Sequence, residues 1–352
     1  MSEILPKARY ARQIRYSAVG AAGQALIENA RIAIVGVGAL GCVAANHLAR
    51  AGAGRLSLID RDVVDASNLQ RQLLYDEKDA IQLTPKAVAA ANRLREINSD
   101  IVVVPYVTEL SALNAETLLG SMDLIVDGSD NFSVRYLINE VSVKCGIPWI
   151  YGGAVGASGM SATFRPGAGG PCFHCLFPQP PAGGSLDTCE TAGVLAPIVD
   201  TIASLQAMEA IKLLTGNEQA LHGSLVQIDM WLNGWNSLSL AGARRPQCPV
   251  CSAHQYARLS GEHDEPLTAS LCGRNTVQVV PRHDGSTGGL SLERMAERWS
   301  RLGSVELNAY LLRVRIEDEL TFVLFPDGRA LIMGTDDAVR ARRLYTDLLG
   351  MS

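Results

Sequence analysis

The first two-thirds of the chain switches repeatedly between two apolar periods. Arg31–Val37 (RIAIVGV) is a short β-branched apolar run that passes straight into Gly36-Val37-Gly38-Ala39-Leu40-Gly41. Leu40–Ala51 returns to helical spacing, and Leu56–Asp60 (LSLID) is a second strand ending on an acid. Strand, tight glycine turn, helix and strand in this order put the glycine motif in the context a nucleotide site requires. The alternation then repeats. Pro85 opens a helix through about Ile97, Ile101–Val107 is strand-like, and a helix around Ala112–Leu119 leads to Asp123–Asp127 (DLIVD). A helix from about Phe132 to Cys145 precedes Pro148–Tyr151. This predicts the α/β class: a Rossmann-like, mostly parallel sheet with helices on both faces.

Further along, Met160–Phe164 reads as a strand, and a stretch rich in Gly and Pro (RPGAGGP) leads to Cys172. Residues 178–190 (PQPPAGGSLDTCE) are expected to form a mobile loop, because their Pro and Gly content opposes regular structure. A helix over Ala196–Leu214 and a strand over Leu225–Met230 follow. Val194–Leu214 is the most apolar long stretch, yet Asp200, Glu209 and Lys212 interrupt it, so it reads as a buried helix rather than a membrane span. Residues 1–30 are expected to form a polar helical arm. The predicted organisation is a large domain over 1–252, a linker at 253–267 and a small C-terminal α+β module at 268–352. That module should run strand, helix, two or three strands, helix.

Composition narrows the function. At 352 residues the chain suits one large domain plus a small one. Its net charge of −5, with no basic cluster, speaks against nucleic acid or an anionic membrane as partner. The opening MSEILPKARY lacks an apolar run, so no secretory signal is read and a cytoplasmic location is expected. Eight cysteines in such a chain point to metal or catalysis rather than disulfides.

Gly36, Gly38 and Gly41 let backbone N–H groups approach a phosphate at the positive end of a helix, and Asp60 is placed for ribose hydroxyls. So far NAD fits as well as any nucleotide. Asn68-Leu69-Gln70-Arg71-Gln72 and Thr84-Pro85-Lys86 change that. Arg71 can grip phosphate through two N–H groups and Lys86 can add a point charge, although each alone reads as a solvated surface cation. The chain has only five lysines, which makes one at a helix start less casual. Asp127-Gly128-Ser129-Asp130-Asn131 ends the fourth strand, where carboxylates face the crevice and can bind magnesium; helix N-capping is the plain alternative for Asp130.

Cys172-Phe173-His174-Cys175 and Cys248-Pro249-Val250-Cys251 have the spacing of a closed, structural zinc site with four thiolate ligands, with a redox pair as the alternative. His174 is read as a bystander. Cys189 sits in the loop just ahead of a helix whose N-terminus favours a thiolate; an unreactive loop thiol is the alternative. Cys42 and Cys145 are expected to be core residues.

Taken jointly, RYARQ (9–13), GVGALGC (36–42), SNLQRQ (67–72), TPK (84–86), DGSDN (127–131), both CxxC pairs and CETAGVLAP (189–197) resemble the ThiF/MoeB/HesA family. These are bacterial relatives of ubiquitin-activating enzymes, and the resemblance covers roughly residues 8–252. It implies that 1–252 is an adenylating domain. Such an enzyme would use Mg-ATP to adenylate the C-terminal Gly-Gly carboxylate of a ubiquitin-like sulfur-carrier protein, releasing pyrophosphate ahead of thiocarboxylate formation. By the same resemblance Asp60 would hold the ribose, Arg71 and Lys86 the phosphates, and Asp130 magnesium. Asn68 and Gln72 would complete the pocket, and Arg12 would act in trans across a homodimer. The cysteine equivalent to Cys189 can link covalently to the carrier, or take part in sulfur transfer, in some relatives. Alternatives are adenylation of another carboxylate or amide, on a peptide or tRNA, and a non-catalytic or NAD-dependent nucleotide binder. After Cys251 the resemblance weakens. Cys272 stands ahead of a strand rather than after one, which argues against a fused rhodanese; the tail resembles that of some thiamine-pathway relatives.

Overall fold

The computed structural model describes residues 8–180, 192–261, 268–271, 275–279, 290–317 and 320–349. The chain divides into two compact units, Met1–His263 and Asp264–Ser352.

The first unit opens with α1 (Ala11–Arg15) and α2 (Gly20–Asn29), followed by β1 (Arg31–Val35), α3 (Ala39–Ala51) and β2 (Arg55–Ile59). Next come α4 (Glu77–Ile81), α5 (Lys86–Ile97), β3 (Val102–Tyr106), α6 (Ala115–Leu119), β4 (Leu124–Asp127) and α7 (Phe132–Cys145). A hairpin of β5 (Trp149–Val155) and β6 (Ser158–Phe164), short α8 (Phe173–Leu176), long α9 (Ala196–Leu214) and a second hairpin, β7 (Ser224–Asp229) and β8 (Gly234–Ser239), complete it. The sheet order is β3-β2-β1-β4-β5-β6-β7-β8. Pairings from β3 to β5 are parallel, and those from β5 to β8 are antiparallel.

Each central strand feeds two cores. Ile32 and Ile34 of β1 pack with Leu48 of α3 and Ile202 of α9, whereas Ala33 and Val35 face the layer containing Ile138 and Val141 of α7. Strands buried on both faces read as continuous apolar runs, which is why their positions were legible. Helix ends follow local chemistry. Gly52, at φ +88°, closes α3 in the left-handed conformation, and Asn131 caps α7 by accepting the Ser133 amide.

Four regions depart from expectation. The glycine-rich stretch between the strands expected at 148–151 and 160–164 is itself the β5–β6 hairpin. A Cβ on Gly152 would lie 2.5 Å from Gln206, and one on Gly159 would lie 2.4 Å from Ile202, so the glycines admit α9 against the sheet. β8 carried no apolar signal, because most of it is exposed. The expected polar arm is docked. Tyr10 is buried, and Asn98 Nδ2 donates both to its hydroxyl (2.8 Å) and to the Ala49 carbonyl (2.7 Å). Residues 256–259, part of the expected linker, lie against α7. The buried Glu140 carboxylate accepts the amides of Arg258 (3.1 Å) and Leu259 (3.0 Å), and the Arg258 guanidinium stands 5.0 Å from the Tyr136 ring.

The second unit contains β9 (Thr268–Leu271), β10 (Thr276–Val279), α10 (Leu292–Trp299), β11 (Ser304–Leu307), β12 (Leu312–Glu317), β13 (Leu320–Leu324), β14 (Ala330–Met333) and α11 (Ala338–Leu349). Its antiparallel sheet has the order β11-β12-β13-β14-β10-β9, around a core that includes Trp299, Phe322 and Ile332. Four strands, rather than two or three, separate its helices. Among the described residues, no helix is long and apolar enough to cross a membrane.

Asn98→Ala should loosen the docked arm, since the bond to the Tyr10 hydroxyl is lost together with that to Ala49, at a cost of about 1–3 kcal/mol. Tryptic cleavage at Arg12 and Arg15 should then accelerate; an unchanged cleavage rate would show that Asn98 does not hold the arm.

Candidate functional site

Order β2-β1-β4 makes the gap between β1 and β4 the point where successive crossovers run in opposite directions, the usual ligand crevice of such sheets. The glycine loop leaves β1 there. Gly36 has φ +81°, and a Cβ on it would lie 2.9 Å from the Gly128 carbonyl group. A Cβ on Gly41 would sit 2.0 Å from the Gly36 oxygen, and one on Gly128 would sit 2.4 Å from the same atom. Three backbones therefore meet where no side chain fits. Gly38, the N-cap of α3, is the opposite case: the nearest atom to a Cβ there is Gln72 Nε2 at 3.9 Å. Its open face adjoins the positive end of a helix.

Asp60 is tied to this loop. One carboxylate oxygen accepts the Val37 amide and the other the Asp62 amide, both at 2.7 Å. Burial pushes its pKa up, and the nearby Lys86 ammonium partly opposes that rise. Lys86 is buried at the start of α5; its Nζ lies 2.9 Å from Asp62 Oδ2, and its amide donates to the Asp62 carbonyl at 2.9 Å. The Tyr75 hydroxyl lies 2.6 Å from the Val37 carbonyl and 3.2 Å from that of Lys86, joining glycine loop to lysine helix. Arg61 pairs with Glu109 beside them.

The segment before α4 adds polar groups. Asn68 and Gln72 are buried, yet Asn68 Oδ1 and Gln72 Oε1 have no hydrogen-bond partner. Buried acceptors left this way cost about 1–3 kcal/mol each, so a ligand that brings donors would relieve them. Arg71 is partly exposed, and its Nη1 donates to the Ser67 carbonyl at 3.1 Å.

After β4 the chain is held by Asp127, whose Oδ1 accepts the amide (2.9 Å) and hydroxyl (2.6 Å) of Ser129. Its Oδ2 pairs with Arg135 Nε at 3.0 Å. Burial raises the Asp127 pKa against the pull of Arg135. Asp130 is exposed, and among the described residues it makes no hydrogen bond or close ion pair. Capping, the plain alternative for Asp130, falls to Asn131 instead.

Thus Asp60, Lys86, Gln72 and the glycine loop stand together, with the Asp127–Asn131 turn against Gly36. Arg12 does not join them by any hydrogen bond or ion pair among the described residues; it is exposed on α1. Cys189 and Cys272 lie outside the described residues, as do residues 181–190 of the expected loop. Sequence reasoning missed Asp62, Tyr75 and Arg135. Asp62 carried one weak signal, an acid two residues past a strand end; Arg135 lay within the helix expected over 132–145 with nothing to single it out, and Tyr75 carried no signal. Cys42 is buried as expected, and burial pushes its thiol up to about 12. Cys145 is not a core residue: it ends α7 and is exposed.

A second centre lies at the other end of α7. Cys172 caps α8, and the Phe173 amide donates to Asn139 of α7 at 2.9 Å. Sulfur separations are 3.9 Å (Cys172–Cys175), 3.6 Å (Cys172–Cys248) and 3.5 Å (Cys175–Cys251), and all four sulfurs lie within 4.8 Å of one another. Tetrahedral zinc with bonds of about 2.3 Å demands sulfur separations of about 3.8 Å, so the cluster suits that ion. Burial, then the neighbouring sulfurs, push the Cys172 thiol up, a cost a bound cation would remove.

Fold and site define a nucleotide-binding α/β protein of the doubly wound kind, with an attached tetracysteine cluster. Residues 10–250 match the ThiF family, and the chain belongs to it. It is 42% identical over 343 residues to the sulfur carrier protein ThiS adenylyltransferase of Bacillus subtilis (strain 168), covering 97% of this chain and 99% of that one. It is 38% identical over 247 residues to a sulfur carrier protein adenylyltransferase of Thermus thermophilus, covering 69% and 90% respectively. In fold it resembles E. coli MccB, with a TM-score of 0.60 at 24% identity over 69% of this chain and 72% of that one.

Gly41→Ala should force apart the backbones at the Gly36 oxygen and destabilise the first unit by about 1–3 kcal/mol, the usual cost of overpacking. A melting temperature equal to that of the unaltered protein would contradict this.

Proposed function

We propose that this chain is an ATP-dependent adenylyltransferase acting on the C-terminal Gly-Gly carboxylate of a ubiquitin-like sulfur-carrier protein. The product is an acyl-adenylate, with pyrophosphate released, ahead of thiocarboxylate formation. The observation that carries the reading is a buried lysine and two unsatisfied buried amides beside an open glycine loop. A lysine, an arginine and a second aspartate together around the phosphates suit triphosphate chemistry rather than hydride transfer. The near-full-length likeness to a ThiS adenylyltransferase supports the same choice.

In this reading the amides around Gly36, Gly38 and Gly41 receive the phosphates, and Asp60 the ribose. The orphaned oxygens of Asn68 and Gln72 accept donors from the nucleotide. Lys86 and Arg71 neutralise charge at the triphosphate. Magnesium would be held by Asp130 and would supply further neutralisation. The attacking carboxylate is already ionised at neutral pH, so no general base is needed. It adds in line to the α-phosphorus as pyrophosphate leaves, and positioning with fixed positive charge does most of the work. The tetracysteine cluster would hold zinc as a structural staple, since four sulfurs leave no open coordination position.

A protein substrate needs a docking surface. The β7–β8 turn presents Trp231 and Leu232, each 77% exposed, and β8 adds Trp235 and Leu238 on an edge strand. Backbone hydrogen bonds lead from this turn towards the crevice. Met230 bonds to Ala157, the neighbouring Gly156 to Leu195, and the carbonyl of Val194 to the Gln70 side chain. We infer a homodimer in which Arg12, exposed on α1, completes the partner's site.

ATP–pyrophosphate exchange should require a carrier ending in Gly-Gly, and Lys86→Ala should lower it about a hundredfold or more. Exchange with no carrier tried, or with Lys86→Ala undiminished, would defeat the proposal. Mixing inactive Arg12→Ala and Lys86→Ala subunits should restore about a quarter of full activity, because only a mixed dimer holds one intact composite site. No recovery would place Arg12 outside the partner's site.

A further inference from the structure

Arg135 is a charged group near the crevice that the proposed chemistry does not use, and it is almost fully buried. Its side chain is 7% exposed on α7. Burial alone would lower its pKa; the charge and hydrogen bond of Asp127, together with Tyr151 and the Asp130 charge, more than offset this, and the pKa is raised. Nη2 donates to the carbonyls of Ser129 (2.7 Å) and Gly152 (3.2 Å), while Nε holds Asp127. The guanidinium carbon lies 5.1 Å from the Phe132 ring centre and 5.0 Å from that of Tyr151, so two aromatic faces fix it.

A buried ion pair is a weak source of stability, because desolvation consumes the Coulombic gain. This one performs a geometric task. Asp127 grips Ser129 by its amide and hydroxyl, and Arg135 grips the same residue by its carbonyl. On the far side of Asp130, Asn131 is fixed as the cap of α7. Asp130 thus sits between two immobilised neighbours with its own carboxylate exposed and unused by the fold. Gly128, one residue before Ser129, touches the glycine loop at Gly36, so the same clamp sets Asp130 relative to that loop.

We propose that Arg135 is a positioning residue that presents the Asp130 carboxylate to the nucleotide-bound metal; this rests on the reading of Asp130 given above. Only a planar fork can hold Asp127 and the Ser129 carbonyl together. Lysine keeps the charge but cannot make both contacts in that geometry.

The test is a magnesium titration of ATP–pyrophosphate exchange, with melting temperature recorded for every variant. Arg135→Lys should raise the apparent KM for magnesium about tenfold, the scale on which partners of metal ligands act. High magnesium should recover kcat, and KM for the carrier protein should not move. Ser129→Ala, which loses only one grip on the turn, should shift the magnesium KM in the same direction by less, and it serves if Arg135→Lys does not fold. Direct Mn2+ binding, read by electron paramagnetic resonance, should weaken in parallel. Asp130→Ala is the control on the underlying reading: unchanged magnesium dependence there would remove Asp130 from the metal and the proposal with it. If Asp130→Ala abolishes exchange while Arg135→Lys and Ser129→Ala leave the magnesium KM unaltered, Arg135 is structural only and the proposal is overturned.

Discussion

The site depends on one close approach, that of Gly36, Gly41 and Gly128 around a single carbonyl oxygen. That oxygen occupies the space that a side chain on Gly41 or Gly128 would need. The end of β1, the start of α3 and the end of β4 are consequently locked at backbone contact distance. Everything chemical is then placed by short tethers from these three ends. Val37 reaches Asp60, Tyr75 reaches both the loop and the lysine helix, and Gly128 carries the Ser129–Asp130 turn. A wider crossing would leave each tether intact and still misplace the charges.

Much of this was legible because burial writes itself into sequence. Strands covered on both faces, such as β1 and β4, must be unbroken apolar runs, and the α/β class follows from their spacing. The tetracysteine cluster was legible for a different reason: its ligands come in pairs whose spacing the metal geometry dictates. What stayed hidden was set by partners far away in the chain. β8 is a strand only because β7 offers it hydrogen bonds, and its exposed surface leaves no apolar pattern. Arg135 looks like any helical cation until Asp127 and two aromatic rings close over it. Cys145 was misjudged because the apolar preference of a cysteine was taken for burial, whereas the last turn of the helix, Lys144 to Cys145, faces solvent. Asp130 was ambiguous in sequence; Asn131 takes the cap, which removes the plain alternative and leaves the metal role of Asp130 as a proposal.

The crevice is also organised by how its charges are shared. Lys86 is buried and paired with Asp62, and Arg135 is buried and paired with Asp127. In each case the carboxylate stands at or just past the end of a strand, Asp127 closing β4 and Asp62 following β2, and the cation stands on a later helix, Arg135 on α7 and Lys86 on α5. The pairs therefore act as struts between strand ends and helices, held before any ligand arrives. Such groups need little reorganisation during reaction, which is where preformed polarity gains over water.

The 14-residue helix α7 has a further consequence. At 1.5 Å per residue it is a rod about 21 Å long, with the Asp130 turn at one end and the cysteine cluster packed near the other. That length is more than twice the screening distance of about 8 Å that holds between exposed charges in physiological salt. The charge of a metal in the cluster is therefore electrically remote from the crevice. An influence of the cluster on the crevice would then run through the packing of that helix more than through a field.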